Sequence, residues 1–255
     1  MKKLLALFFA LCPVQALGCV CIPPLLLDSY QNSEFVAVAR IIKLTPSTEH
    51  EDYHVAEIEP INVYKGSPQT TLTVLTQLKS KCSFFPPENS VWLIFAGEGK
   101  GGGLIFGSCS ASLQIDGTFD SARYPNANTN HKKTVDLKLA TLDYLSKIES
   151  AKSNPYRIIF FDLNICTDSQ KGFDFQNRFA VYQFEVNEDL SIEKINALKD
   201  FDNPVVSGRI LECLHQNARI NTAQFKKLPA KTKVQLVLYS YPTKDGSEKF
   251  ISLYD

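Results

Sequence analysis

The chain has 255 residues, of which 44% are hydrophobic and 21% are charged. Its 27 basic residues equal its 27 acidic residues, so the formal net charge is zero with neutral histidines. Without a basic excess there is no electrostatic reason to expect nucleic acid or an anionic membrane surface as a partner. The length suits one large domain or two small ones.

The first eighteen residues have the pattern of a signal peptide. Lys2 and Lys3 precede a short apolar run at residues 4–11, and Ala16-Leu17-Gly18 has the small residues that signal peptidase prefers. The run is shorter than the roughly 20 residues that cross a bilayer, and no later stretch is long and apolar enough. We therefore expect a secreted or periplasmic monomer without a transmembrane segment, whose mature chain begins at Cys19.

The cysteines predict disulfide bonds. Of seven cysteines, Cys12 leaves with the signal peptide, and an even number in an exported protein indicates bridges. Cys19 and Cys21 point to the same side of an extended segment, so they pair poorly with each other and each needs a distant partner. Cys166 and Cys213 lie beyond a polar linker and pair most simply with each other. The six that remain are Cys19, Cys21, Cys82, Cys109, Cys166 and Cys213.

The first half of the mature chain reads as mainly β. A helical turn at residues 25–32 precedes five short strands separated by Gly and Pro turns, a pattern typical of a small closed barrel or sandwich. The glycine-rich residues 97–103 follow a strand but match no phosphate-binding loop, so we expect a hairpin tip. The five strands are predicted at residues 34–44, 54–64, 70–78, 91–96 and 104–108.

The second half reads as α+β. We predict a loop at residues 121–131, then a helix at 134–148, where apolar residues recur at helical spacing. The domain boundaries follow: a barrel domain with its trailing helix at 19–148, a linker at 149–156 and a smaller α+β domain at 157–255. Asn203 and the proline after it predict a helix start. In that domain we predict strands at 157–165, 179–186, 191–198, 233–241 and 250–254, a helix at 203–217 and a turn at Asp245-Gly246.

The N-terminal half resembles the tissue inhibitors of metalloproteinases over roughly residues 19–113. Cys19-Val20-Cys21-Ile22-Pro23-Pro24 is similar to the N-terminus of that family, and further similar segments follow in the family's order. The resemblance implies an OB-like five-stranded barrel, often called the netrin-like module. The further segments are Asn32-Ser33-Glu34-Phe35-Val36, Tyr64-Lys65-Gly66, Cys82-Ser83-Phe84-Phe85, and residues 92–97 running on to Cys109.

The resemblance also implies a disulfide pairing. Cys19 would bond Cys82, and Cys21 would bond Cys109. The family's third bridge in this domain is missing, because Gln31 stands near the place where its first cysteine is expected.

The activity implied by the resemblance is inhibition of a zinc metalloproteinase. The free α-amine and the carbonyl oxygen of Cys19 would bind the protease's catalytic zinc in trans, at its open coordination position. Val20 would enter the specificity pocket, and Cys21, Ile22 and Ser83 would complete the contact surface. We expect no enzymatic activity and no cofactor.

Two alternative functions remain open from the sequence. One is a non-inhibitory netrin-like protein-binding module of the bacterial envelope, and it includes an outer-membrane lipoprotein anchored at Cys19. Lipidation would consume the amine of Cys19, but lipoprotein signals usually carry Leu three residues before the cysteine, where this chain has Ala16. The other is an envelope enzyme whose site escapes motif analysis.

Other candidate sites are weaker. Metal binding by the thiols of Cys19 and Cys21 conflicts with oxidation after export. Residues 181–239 look similar to the C-terminal domain of TonB-like periplasmic proteins, which suggests a binding module and assigns no residues. The scattered histidines, which lack metal-ligand spacing, are His50, His54, His131 and His215.

Overall fold

The structure is a computed structural model that describes residues 19, 21–22, 24–99, 102–241 and 248–254. The predicted signal peptide at residues 1–18, Val20 and the predicted turn at Asp245-Gly246 lie outside the described residues. No helix within the described ranges is both long enough and apolar enough to cross a membrane.

Five strands of the N-terminal part close into a mixed barrel. Their order is β1-β2-β3-β5-β4, and β4 pairs back onto β1. The pairing of β3 with β5 is parallel and the other pairings are antiparallel. The barrel confirms the OB-like prediction, although β3 ends earlier than expected. The strands are β1 Phe35–Pro46, β2 Tyr53–Lys65, β3 Thr71–Leu75, β4 Val91–Glu98 and β5 Leu104–Gly107; a short β6, Leu113–Gln114, pairs with β4 and was not predicted.

Alternation along the strands fills the barrel. Side chains of successive residues in a strand point to opposite faces. Phe35 and Ala37 of β1 therefore point inward together with Ile94 of β4, and all three are fully buried. The residues between them, such as Val36 and Phe95, point outward into a second hydrophobic cluster. Both faces of β1 and β4 are buried, which explains their nearly continuous apolar runs.

The C-terminal part is a smaller α+β region with a four-stranded antiparallel sheet of order β12-β11-β8-β9 and a two-stranded antiparallel sheet of β7 and β10. One face of the four-stranded sheet, with Val181 and Val237, packs on the outer side of the barrel. The opposite face packs against helix α4. The elements are α1 Leu26–Asn32, α2 Ala127–Leu145, β7 Ile158–Phe161, α3 Asn164–Asp168, β8 Phe179–Val186, β9 Ile192–Lys199, α4 Pro204–Asn217, β10 Arg219–Thr222, β11 Thr232–Tyr241 and β12 Phe250–Ser252.

Two boundaries in this region were predicted wrongly. Helix α2 begins at Ala127, inside the predicted loop, because Asn128 hydrogen-bonds the backbone N–H and C=O of Phe119 and so fixes the first turn. The strand predicted at residues 157–165 ends at Phe161, where Asp162 has a positive φ of 59° and the chain turns into α3. The helix that starts after Asn203 is confirmed, and the Asn203 side chain caps it.

The segment predicted as a linker packs against the C-terminal sheet. It contains a short 3₁₀ helix, Glu149–Ala151, in which Ala151 is fully buried. The Ser150 hydroxyl donates to the Gln183 amide oxygen at 3.1 Å and accepts from the Gln235 amide nitrogen at 2.7 Å. The division of the chain at residues 149–156 stays a prediction.

The Tyr64-Lys65-Gly66 motif joins the end of β2 to α1 and β1. The Lys65 ammonium donates to the carbonyl oxygens of Tyr30 at 3.0 Å and Gln31 at 2.9 Å, in the last turn of α1, where an α-helix leaves its carbonyl groups without intrahelical donors. Burial lowers the pKa of Lys65. Gly66 has a φ of 81°, and a Cβ there would lie 2.5 Å from the carbonyl oxygen of Glu34. Only glycine fits this crossing without strain.

Replacing Gly66 should test this contact. We expect Gly66→Ala to lower the free energy of unfolding by about 2 kcal/mol or more, since it adds a backbone clash to an unfavourable φ. Gly172→Ala is the matched control, because Gly172 has a φ of 86° but a Cβ added there would have nothing within 4 Å. Urea denaturation measures both, and equal losses would contradict the role given to the clash.

Candidate functional site

Two adjacent disulfides hold the N-terminal segment against the barrel. Cys19 bonds Cys82 and Cys21 bonds Cys109, with Cα–Cα distances of 5.0 and 5.4 Å. These distances lie in the usual range of roughly 4.4–6.8 Å. The sulfur atoms of Cys19, Cys21 and Cys109 all lie within 4.8 Å of one another, so the bridges are neighbours. The predicted pairings of Cys19 with Cys82 and of Cys21 with Cys109 are confirmed. The predicted bridge between Cys166 and Cys213 in the C-terminal part is confirmed as well.

The barrel topology explains why these cysteines meet. Strands β3 and β5 run parallel as neighbours, with Leu75 opposite Gly107. Parallel neighbours end at the same end of a barrel, and the loops that follow them contain Cys82 and Cys109. The extended segment that carries Cys19 and Cys21 can therefore reach both loops at once.

We call this region the N-terminal ridge: Cys19, Cys21, Ile22, residues 82–85 and Cys109. Cys19 and Ser83 are exposed, Cys21 is half-buried, and Ile22 is 88% exposed. Four of the five predicted contact residues thus belong to one covalently linked surface, and the fifth, Val20, lies outside the described residues.

The loop that contains Cys82 is attached to the barrel by both backbone and side chains. The N–H groups of Thr76 and Gln77 donate to the Asp52 carbonyl oxygen, and the N–H of Phe84 donates to the Thr76 carbonyl oxygen at 2.8 Å. The Phe84 ring packs edge-on against Trp92 and Phe106, at centroid distances of 5.5 and 5.9 Å. Cys82 therefore offers Cys19 a fixed anchor.

An ion pair links the same loop to the β1–β2 hairpin. The Lys79 ammonium hydrogen-bonds the Glu51 carboxylate. This hydrogen bond lowers the pKa of Glu51 and raises the pKa of Lys79. Both groups are exposed, so salt screens the pair and its effect on stability is small.

The chemistry that the ridge offers to a metal lies in its backbone. Cys19, Cys21 and Cys109 form the one group of potential side-chain ligands found among the described residues, but their sulfurs are in disulfides and are not thiolates. A chain that begins at Cys19 would instead present an α-amine and a carbonyl oxygen at the exposed end of the ridge.

Gln31, near which the sequence resemblance led us to expect a cysteine, is buried in α1. It is only 7% exposed, and its backbone carbonyl oxygen accepts a hydrogen bond from Lys65. Its side-chain Nε2 has no hydrogen-bond partner among the described residues. The Lys65 contacts thus hold the end of this helix against β2.

The structure does not gather the histidines into a site. His54 is buried, and its Nδ1 lies 3.1 Å from the Thr76 hydroxyl. His131 lies in α2 and its ring packs against Phe119, in the loop before that helix. His50 lies 3.8 Å from Asp52 at the β1–β2 hairpin and His215 lies near the end of α4.

Phe85 is an exposed ridge residue that the sequence did not indicate. Phe84 and Phe85 are consecutive aromatics in the segment that resembles the inhibitor family, yet Phe84 packs against the barrel whereas Phe85 is 51% exposed. The segment is a loop without strand or helix periodicity, so no sequence pattern indicates which ring faces outward.

No protein-family model matches the chain, and a search of the curated proteins finds no match either.

Removing one ridge disulfide should free the N-terminal segment. The chain-entropy model assigns about 4 kcal/mol of stability to loops of these lengths. We expect a Cys21→Ala/Cys109→Ala variant to lose up to that amount and to exchange amide hydrogens at least about tenfold faster over residues 21–33. Hydrogen exchange under native conditions measures this change.

The matched control is Cys166→Ala/Cys213→Ala, which opens a bridge of 47-residue separation between α3 and α4 of the C-terminal part. It should lose comparable stability while exchange over residues 21–33 stays unchanged. Equal acceleration in both variants would show that the ridge depends on global stability and not on its own bridges.

Proposed function

We propose that the exported, mature protein inhibits zinc metalloproteinases through its N-terminal residue, Cys19. The observation that carries the proposal is the pair of adjacent disulfides that holds exposed Cys19 on a rigid barrel loop. Removal of residues 1–18 would leave the α-amine of Cys19 free, and the three disulfides agree with an oxidising, extracytoplasmic location.

The inhibitory step is displacement of a catalytic water. A protease zinc with three protein ligands keeps one position open for water or substrate. The amine nitrogen and carbonyl oxygen of Cys19 would both bind this zinc in place of the water and close a five-membered chelate ring with it. The zinc-bound water that attacks the peptide substrate would then be absent, and the protease would be inactive.

Preorganisation supports tight binding by so short a segment. Ordering a flexible chain on binding costs roughly 0.5–1.5 kcal/mol for each immobilised side chain. In this protein, folding and two disulfides have already ordered Cys19 and Cys21. The remaining contacts would come from Val20 in the specificity pocket and from Ile22 and Ser83 on the sides of the cleft.

One added residue should abolish inhibition. We expect mature protein with an extra Ala before Cys19 to inhibit a sensitive zinc endopeptidase at least about 100-fold less, since the amine of Cys19 becomes an amide that binds zinc poorly. Inhibition assays over a panel of zinc endopeptidases at micromolar concentration measure this effect.

The control for this insertion is an extra Ala at the C-terminus, which should leave inhibition unchanged. Intact disulfides and an unchanged unfolding midpoint show that the barrel is preserved. Failure of the mature protein to inhibit any member of the panel would favour a non-inhibitory binding module, and mass spectrometry that shows acylated Cys19 would favour a lipoprotein.

Inhibition should weaken at low pH. An α-amine has a pKa of about 8, and only its neutral form binds zinc. Below that pH, zinc must displace a proton, so the inhibition constant should rise by up to about tenfold per pH unit. Titration between pH 8 and pH 6 measures the slope, with a small inhibitor that lacks an ionisable amine as control. A flat profile would contradict chelation by the amine.

A further inference from the structure

Phe85 is a large apolar side chain that the barrel leaves half outside. Its ring is 51% exposed, whereas the preceding Phe84 packs on Trp92 and Phe106 and the following Pro86 is buried. The backbone on either side of Phe85 is therefore fixed, and the ring is directed outward by the fold.

The side of the Phe85 ring that faces the barrel packs against His54. Phe85 packs edge-to-face on the His54 ring, with centroids 5.1 Å apart and an interplanar angle of 87°. The Thr76 hydroxyl donates its one hydrogen to the Asp52 carbonyl oxygen at 2.8 Å. The hydroxyl must therefore accept from His54, so Nδ1 carries the hydrogen in that 3.1 Å contact. This chain of contacts orients the imidazole that supports Phe85.

Phe85 lies close enough to Cys19 for one protein partner to contact both residues. The Cα atoms of Cys19 and Cys82 are 5.0 Å apart. Phe85 is three residues beyond Cys82, and a residue spans at most about 3.6 Å, so its Cα lies within about 16 Å of that of Cys19. An interface of standard size covers about 800 Å² on each partner, which corresponds to a radius of about 16 Å.

Other side chains of the same loop and of the N-terminal segment are exposed as well. Ile22, 88% exposed, follows Cys21 of the other ridge disulfide, and Lys81 and Ser83 are exposed in the loop that contains Phe85. An aromatic ring has few rotamers to lose on binding, which is why aromatic side chains contribute much of the binding energy of many interfaces.

We propose that Phe85 is an aromatic anchor that binds an apolar pocket beside the zinc cleft of the partner protease. This inference rests on the proposed function, because continuity with the Cys19 contact is what selects the partner. Phe85 would supply binding energy that needs no metal, while Cys19 supplies the part that needs zinc. His54 is a positioning residue for the Phe85 ring.

The test separates these two contributions. Binding of the mature protein is measured by surface plasmon resonance to an immobilised zinc endopeptidase selected from the inhibition panel, in its zinc-loaded and zinc-depleted forms. We expect Phe85→Ala to weaken binding at least about tenfold to both forms, mainly through faster dissociation. Zinc depletion should weaken the wild type independently of Phe85.

Phe250→Ala is the matched control. Phe250 is 43% exposed and its ring stacks on Tyr241 at 4.9 Å, but it lies in β12 of the C-terminal sheet. It should change binding by less than about threefold. His54→Gln, which keeps a polar partner for Thr76 and removes the ring, should accelerate dissociation by a smaller factor than Phe85→Ala, with the unfolding midpoint measured for each variant.

The outcomes distinguish the anchor from the inhibitory mechanism. Zinc-dependent binding that Phe85→Ala leaves unchanged overturns the anchor and keeps the proposed function. Binding that depends on Phe85 but not on zinc supports the anchor and overturns chelation. No binding to any protease of the panel overturns both. Sedimentation that shows a wild-type dimer and a Phe85→Ala monomer assigns the ring to a second copy of the chain and also overturns the anchor.

Discussion

The pairing of β1 with β4 organises both the barrel and the elements that pack on it. It closes the barrel, and it gives two strands whose faces are both buried. Phe35 and Ile94 fill the barrel interior. Val36 and Phe95 belong to the hydrophobic cluster against which α1, α2 and the C-terminal sheet pack. Because burial of apolar area is the main favourable term in folding, the C-terminal sheet and the barrel stabilise each other through this cluster.

The closure of the barrel also brings the two disulfides of the N-terminal ridge together. A closed barrel places the loops after the parallel strands β3 and β5 at one end, and those loops carry Cys82 and Cys109. The N-terminal segment needs no helix or strand of its own, since two covalent bonds hold it there. Rigidity in this segment would favour the chelation that we propose, because a chelating residue must meet the zinc and its ligands in one geometry.

The ridge divides recognition between a metal-dependent and a metal-independent part in our proposals. Zinc chelation by Cys19 would be common to any zinc endopeptidase, so it confers affinity without much choice of target. Val20 and Phe85 would contact surfaces that differ between proteases, and specificity is a difference between such contacts. Phe84 packs inward on Trp92 and Phe106 while Phe85 is exposed, so the specificity that we propose for Phe85 would be linked to the barrel core.

Local sequence patterns were sufficient to predict the five barrel strands and the presence of disulfides. Alternation and buried apolar runs locate β1 to β5, and an even cysteine count indicates bridges, because both signals are local or compositional. The partners of Cys19 and Cys21 came from a family resemblance and not from spacing. Three features became visible in the folded chain alone: the early start of α2, the end of β7 at Phe161 and the exposure of Phe85. The ends of α2 and β7 are set by the Asn128–Phe119 hydrogen bonds and by the positive φ of Asp162, which hydrophobic periodicity does not indicate. The environment of Phe85 depends on residues distant in the chain, such as His54, which no local pattern records.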